Sequence, residues 1–250
     1  MGTKGSAAAL GLVRSTSTPI HDIGTSIYLS SDVFGWAAEW GWANPFAFYF
    51  AGRGGMLGDV AADVVHSSFG WFEPAAVRAM YEEGIAVAGT TGAAQRMAEA
   101  HALWGRKHLA DVKGLDGIVH VTETLVDGLE GSALPLFVGW RAATRAQDAP
   151  GRAAQLMQIL REWRGGVHLV ATTAVGLTPL EAILTNEGEG QAKFFGWSEP
   201  FPGCDDIRHK HQEAEDMTDR LNADALSRAL RPDQFEAFGA GVAAVRAALP

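Results

Sequence analysis

Cysteine is almost absent from this sequence, since Cys204 is the single one among 250 residues. One thiol excludes an intramolecular disulfide framework and a zinc site built from several cysteines. Long apolar runs are absent as well, because no stretch approaches the roughly 18 residues that mark a membrane-spanning helix. The short apolar patch Leu10–Val13 ends at Arg14, so it does not resemble a secretory signal. We therefore expect a cytoplasmic protein that does not insert into a membrane.

Positive charge is scarce too. The chain has 20 lysines and arginines against 29 acidic residues, a formal net charge of -9. A protein whose main task is to coat nucleic acid needs cations for the phosphates, so this balance argues against nucleic acid as a partner.

Common catalytic motifs are also missing. There is no Gly-x-Ser-x-Gly and no His-Glu-x-x-His sequence. The glycine-rich segment Gly52–Gly58 lacks both a preceding strand and the Gly-Lys-Ser/Thr ending of a phosphate loop. No metal site is predicted, and the cofactor, if any, is unknown.

Helical periodicity is what the sequence does contain. Ile118–Val126 is ambiguous between strand and helix, and we assign a helix because no second convincing strand exists to pair with it. The predicted fold is all-α, with a disordered N-terminus over 1–18 and two helical halves over 19–113 and 114–250. Gly165 and Gly166 are expected to interrupt a helix. Apolar spacing predicts further helices over 59–65, 74–83, 93–109, 151–163 and 233–249.

The two halves share short motifs. Arg53-Gly54-Gly55 recurs as Arg164-Gly165-Gly166, and Phe69–Pro74 recurs in part as Phe195–Pro200. Two recurrences in the same order predict an ancient duplication. The alternative is coincidence in a chain rich in glycine and tryptophan.

Candidate site residues are isolated polar groups among apolar neighbours. Arg53 follows a cluster of aromatic residues and can bind an anionic ligand; alternatively it pairs internally with Asp59 or Asp63. Tryptophans can line an apolar, stacking pocket, although the alternative for each is ordinary core packing. The predicted acid–base residues are His21, His168, Glu73 and Glu181. The predicted ligand-binding residues are Tyr49, Arg53, Trp36, Trp71 and Trp140.

Several short motifs follow one another in a fixed order along the chain. Those in the first half are Pro19-Ile20-His21, Tyr49–Arg53, Leu57-Gly58 and Phe72–Ala75. Those in the second half are Pro135–Phe137, Leu160–His168, Gly176-Leu177, Glu181, Gly196-Trp197, Met217–Asp219 and the segment after Leu230. In this order they resemble an actinobacterial family described as a helix-turn-helix family of unassigned function. The resemblance implies an all-helical N-terminal region followed by a winged-helix region of the MarR type.

The sequence departs from that family at two places. Where such relatives carry a basic recognition helix and a wing, Ser198–Asp216 has six acidic residues and too little length for such a helix. Glu73 stands where the family is expected to have histidine. We therefore predict a protein that binds a small hydrophobic or anionic organic ligand, and a metal-independent enzyme of proton transfer, isomerisation or cyclisation. The alternatives are a ligand-responsive MarR-like regulator and a non-catalytic interaction protein, such as a homodimer formed through the Phe235–Leu249 stripe.

Overall fold

The computed structural model describes residues 3–249, and within them the chain is helical and contains no strand. Two short 3-10 helices, Asp205–Ile207 and Pro232–Gln234, precede the last two α-helices. The first six helices are α1 (Thr3–Tyr28), α2 (Ser31–Glu39), α3 (Pro45–Gly55), α4 (Ala62–Phe69), α5 (Pro74–His108) and α6 (Leu115–Gly128). The others are α7 (Pro135–Ala142), α8 (Ala149–Ala174), α9 (Pro179–Asn186), α10 (Glu189–Phe194), α11 (Arg208–Ala229) and α12 (Phe235–Ala247).

The all-α prediction is confirmed, including the helix assigned to the ambiguous segment, which is part of α6. Two predicted helices, over 74–83 and 93–109, are joined in α5, whose backbone breaks at Gly89 with φ 68°. The expected interruption at Gly165 and Gly166 is wrong, because α8 continues through both glycines. Packing of α8 against five neighbouring helices outweighs the weak helix propensity of two glycines.

The N-terminal segment is not disordered from Thr3 onward, so that part of the predicted 1–18 disorder is wrong. Helix α1 packs against α8, α11 and α12, and it buries Ala9, Val13 and Thr16. Burial of an apolar face gives this segment the contacts that its small-residue composition does not reveal.

The core is centred on α8, which contacts α1, α5, α6, α7 and α11. One large cluster of buried apolar side chains includes residues from both predicted halves. Helices α3 and α5 approach closely at Gly84, where a Cβ atom would lie 2.1 Å from the carbonyl oxygen of Ala47. The close packing of α3 on α5 therefore depends on a residue without a side chain.

The C-terminal region differs from the prediction in two ways. The segment judged too short for a long helix in fact leads into α11, a helix of 22 residues. That helix is packed within the bundle and carries five acidic residues against four lysines and arginines. The apolar stripe of α12 is buried against α1 and α6 of the same chain, so it is not free to form the predicted homodimer. The wing of a winged helix is a β-hairpin, and residues 3–249 contain no strand, so the winged-helix prediction for this half is not confirmed.

Candidate functional site

A cavity of about 510 Å³ lies where α1, α3 and α8 meet the turn after α4 and the end of α10. Ligand pockets typically measure about 300 to 1,000 Å³, so this chamber has the size of an organic-molecule site. Its lining includes five of the nine residues singled out in the sequence. They are His21, Tyr49, Arg53, Trp71 and His168.

The most buried charged groups of the chamber are Arg53 on α3 and Glu162 on α8. Nε and Nη2 of Arg53 donate to the two carboxylate oxygens of Glu162, both at 2.8 Å. The expected partners of Arg53, Asp59 and Asp63, are therefore wrong, and Asp63 instead pairs with Arg78. Burial, the largest single influence, raises the pKa of Glu162, but the charge and hydrogen bonds of Arg53, together with Arg161 and the Tyr28 hydroxyl, lower it overall.

Neutral donors complete the environment of this ion pair. Gln158 Nε2 donates to Glu162 Oε1 at 2.7 Å and to the Tyr28 hydroxyl oxygen at 2.8 Å. The Tyr49 hydroxyl accepts from Arg53 Nη1 at 3.1 Å. The Arg53 guanidinium carbon also lies 4.1 Å from the centre of the Phe69 ring. With its charge paired and each of its three nitrogens donating to Glu162 or Tyr49, Arg53 is occupied by the protein itself.

His168 is oriented by α11. The Thr218 hydroxyl donates to the Ala214 carbonyl at 2.7 Å, so its oxygen is left to accept from His168 Nδ1 at 2.9 Å. This assigns the proton of the neutral ring to Nδ1 and leaves the lone pair on Nε2, which lies 3.4 Å from Glu215 Oε1. Burial lowers the pKa of His168, and Glu215 opposes this shift. The neutral ring is therefore the favoured form at neutral pH.

His21 lies on α1 across the chamber, with Nδ1 3.7 Å from Asp22. Its pKa is lowered by burial and, next, by the positive charge of Arg161. Arg161 and Glu162 were both missed as site residues in the sequence. The available signal was that they interrupt an apolar stretch of α8, but their partners lie on α1 and α3 and are distant in sequence.

The two recurring sequence motifs lie side by side at one wall of the chamber. The backbone N–H of Glu73 donates to the Phe195 carbonyl at 2.9 Å, and Trp197 Nε1 donates to the Trp71 carbonyl at 2.8 Å. Phe72 and Phe195 pack edge to face with their centroids 4.7 Å apart. These contacts give the chamber an aromatic wall; the duplication itself stays a prediction.

The other four predicted residues do not line this chamber. Glu73 caps α5 by accepting from the Ala76 N–H, and Glu181 forms a capping box with Thr178 at the start of α9. Trp36 packs on the core from α2, and Trp140 is buried beside His101. Their positions fit helix capping and core packing.

A second cavity of about 480 Å³ lies on the other side of the ion pair. The two cavities share Arg53, Trp71, Glu162 and Gly165 in their linings. A Cβ atom placed on Gly165 would meet nothing within 4 Å, so this glycine leaves open space between α8 and the cavities.

Neither an ion site nor a membrane span emerges from residues 3–249. No group of three or more histidine, cysteine or acidic side chains in this range is arranged to hold a metal ion. No single helix is long and apolar enough to cross a membrane, although α8 and α9 together, bent by 101°, pass the length and composition criteria.

Comparison with known proteins finds one family. Residues 13–201 match a family described as a helix-turn-helix family. No curated protein and no solved structure matches the chain.

Proposed function

This chain belongs to the helix-turn-helix family, and we propose that it binds a small organic molecule in the chamber between α1, α3 and α8. The observation that carries this proposal is the convergence of His21, Tyr49, Arg53, Trp71 and His168 on one cavity of about 510 Å³. These residues come from four separate parts of the chain.

The chemistry of the lining supports an organic ligand. Phe46, Phe72 and Phe195 offer aromatic surface, while His21 and His168 offer polar contacts that fix orientation. A mostly apolar cavity with a few convergent polar groups is the usual composition of a small-molecule site.

Tryptophan fluorescence tests the proposal, because Trp71 lines the chamber and Trp36 does not. We expect a library of aromatic and alicyclic carboxylates, amides and amines to contain compounds that quench the wild-type emission saturably. Trp71→Phe should remove most of that quenching, and Trp36→Phe, a matched change outside the chamber, should keep it. If no compound gives saturable quenching, or if both variants respond alike, the chamber is not the binding site.

A finer proposal is that the bound molecule is also transformed, with His168 as the acid–base group. The hydrogen bond to Thr218 supports this role because it leaves the Nε2 lone pair free to take a proton. Incubation with a cell extract, followed by mass spectrometry, should reveal a compound that wild type consumes and His168→Gln does not. Equal consumption by both proteins would exclude His168 as the catalytic residue.

Family membership favours a second candidate function, a ligand-responsive transcription regulator. The chain from Pro179 to Phe194 forms a helix, a turn and a helix, but it carries three glutamates and one lysine. A regulator should shift promoter DNA in a mobility assay, with affinity that falls steeply as salt rises. Unchanged binding after charge reversal at Arg208 and Lys210 would show that the start of α11 is not involved.

A further inference from the structure

Arg161 differs from the other arginines of the chamber in its pairing. Arg53 takes both carboxylate oxygens of Glu162, and Arg164 Nη2 donates to Glu215 at 2.9 Å. The nearest acidic atom to Arg161 is Glu162 Oε1, 3.6 Å from Nη1. That oxygen already accepts from Arg53, Gln158 and Tyr28, so its capacity is used.

Two buried polar atoms in the chamber wall, one of them in this guanidinium, are also unsatisfied. Nε of Arg161 and the hydroxyl of Thr25 are inaccessible and have no hydrogen-bond partner among residues 3–249. Thr25 and Arg161 both line the chamber. Buried polar groups without partners are costly, so this part of the wall is not saturated by the protein itself. The Arg161 side chain is 20% exposed and makes no hydrogen bond within residues 3–249, so a ligand acceptor can reach its terminal nitrogens rather than Nε.

The remaining charges of the lining do not neutralise Arg161. Glu215 is taken by Arg164, and Glu187 lies exposed at the end of α9 and makes no ion pair among the described residues. The lowered pKa of His21, caused first by burial and then by Arg161, is consistent with a positive potential at this position.

The outer part of the chamber has the opposite character. Leu29, Phe46 and Phe194 line it and are exposed, at 48%, 42% and 56%. A molecule that fits both parts has a polar, negatively charged end and an apolar body.

We infer that the ligand of the chamber is an amphipathic organic anion whose carboxylate or sulfonate pairs with Arg161, and that Arg161 rather than Arg53 selects for the charge. This inference rests on the proposed function, because it specifies the ligand of the same chamber. Arg53 is excluded by its complete pairing with Glu162.

The position of Arg161 depends on Gly24 of α1. A Cβ atom on Gly24 would lie 2.2 Å from Arg161 Cδ and 2.9 Å from the Gln158 side-chain oxygen. Alanine at this position would displace the guanidinium while leaving its charge in the protein. Gly11 on the same helix has nothing within 4 Å of its would-be Cβ and provides a matched control.

A pair of fluorescent probes tests the inference. Anilinonaphthalene sulfonate and its uncharged parent, phenylnaphthylamine, share one aromatic body and differ in the anionic group. We expect wild type to bind the sulfonate at least about tenfold more tightly than the parent, as a charge-assisted contact predicts. Arg161→Gln should remove this preference and leave affinity for the parent unchanged. Arg152→Gln, a change on the same helix at an arginine paired with Glu123, should behave as wild type.

Gly24→Ala should reduce the preference for the sulfonate, whereas Gly11→Ala should not. Thermal unfolding of each variant would show whether the fold is retained. If Arg161→Gln does not fold, Gly24→Ala still tests the role of Arg161. If wild type binds the two probes equally and Trp71→Phe loses the binding signal, this inference is wrong but the proposed function stands. If neither probe gives a Trp71-dependent signal, the proposed function fails and the inference with it.

Discussion

The buried ion pair between Arg53 and Glu162 sets the cost of disturbing the chamber, and Glu162→Gln measures that cost. The Glu162 side chain is 2% exposed and that of Arg53 is 9% exposed. Glutamine would keep the volume but leave the guanidinium buried without a counter-charge. Removing one partner of a buried pair costs about 3–5 kcal/mol. Because the pair borders a cavity, water can partly solvate the guanidinium, and we expect a value near 3 kcal/mol.

This loss is large beside the total stability of a domain, which is typically about 5–15 kcal/mol. Urea unfolding followed by circular dichroism measures it. The control is Asp63→Asn, because Asp63 pairs with Arg78 on the surface, where both side chains are at least half exposed. We expect that control to cost less than about 1 kcal/mol. A double replacement of Arg53 and Glu162 by methionine should recover much of the loss, because no charge is then left unpaired.

The acid dependence of stability follows from the same pair. The pKa of Glu162 is lower in the folded protein than in the unfolded one. Ionised Glu162 therefore adds to the free energy of unfolding above the unfolded pKa, and this contribution disappears as pH falls through the folded pKa. Glu162→Gln should therefore lose stability less steeply in acid than wild type. A destabilisation of under about 1 kcal/mol at neutral pH would refute the reasoning, since it would show that Arg53 does not need its partner.

Three further predictions concern other positions. Gly165→Leu places a side chain in the open space that borders both cavities, so the affinity for the probe should fall at least about tenfold. The fold should be retained, because leucine favours a helix more than glycine does. Unchanged affinity would show that the probe does not bind beside Gly165. Gly84→Ala forces a Cβ against the Ala47 carbonyl and should cost about 1–3 kcal/mol in urea unfolding, whereas Gly117→Ala, with nothing within 4 Å, should be neutral or stabilising. Burial lowers the pKa of His101 from 6.5 to about 4, so wild type should lose about 3 kcal/mol as pH falls from 6.5 to 4. That component should be absent from His101→Gln, and parallel pH profiles of the two proteins would contradict it.

Local patterns in the sequence predicted the helices well and their tertiary roles less well. The spacing of Phe238, Val242 and Val245 predicted the apolar stripe of α12, but not that α1 and α6 cover it. The part of α1 before residue 19 was missed because its first residues are small and its partners α8, α11 and α12 are distant in the chain.

The site was also predicted only in part, because its contacts join segments that are distant in the sequence. Arg53 and His168 stood out as charged or titratable groups in apolar surroundings, and both line the chamber. The partner of Arg53 could not be deduced, because Glu162 is separated from it by 109 residues and is contributed by another helix. Glu73 and Glu181 were chosen for their chemistry, whereas their helix-capping role depends on where each helix begins.

Helix α8 connects stability to binding, because one side of it belongs to the core and another to the chamber. Leu156, Ile159 and Leu160 are buried in the main cluster, while Arg161 and His168 line the cavity.

In the folded chain, the incomplete pairing of the Arg161 guanidinium costs free energy, and a ligand that pairs with Arg161 removes this cost. The unfolded chain has no such cost, so the ligand stabilises the folded state only. Binding to the folded state alone stabilises it by about 2.7 kcal/mol at a ligand concentration one hundred times Kd. Thermal unfolding with and without the anionic probe should show this shift in wild type. The shift should shrink in Arg161→Gln because no guanidinium then remains at this position to bind the anionic group.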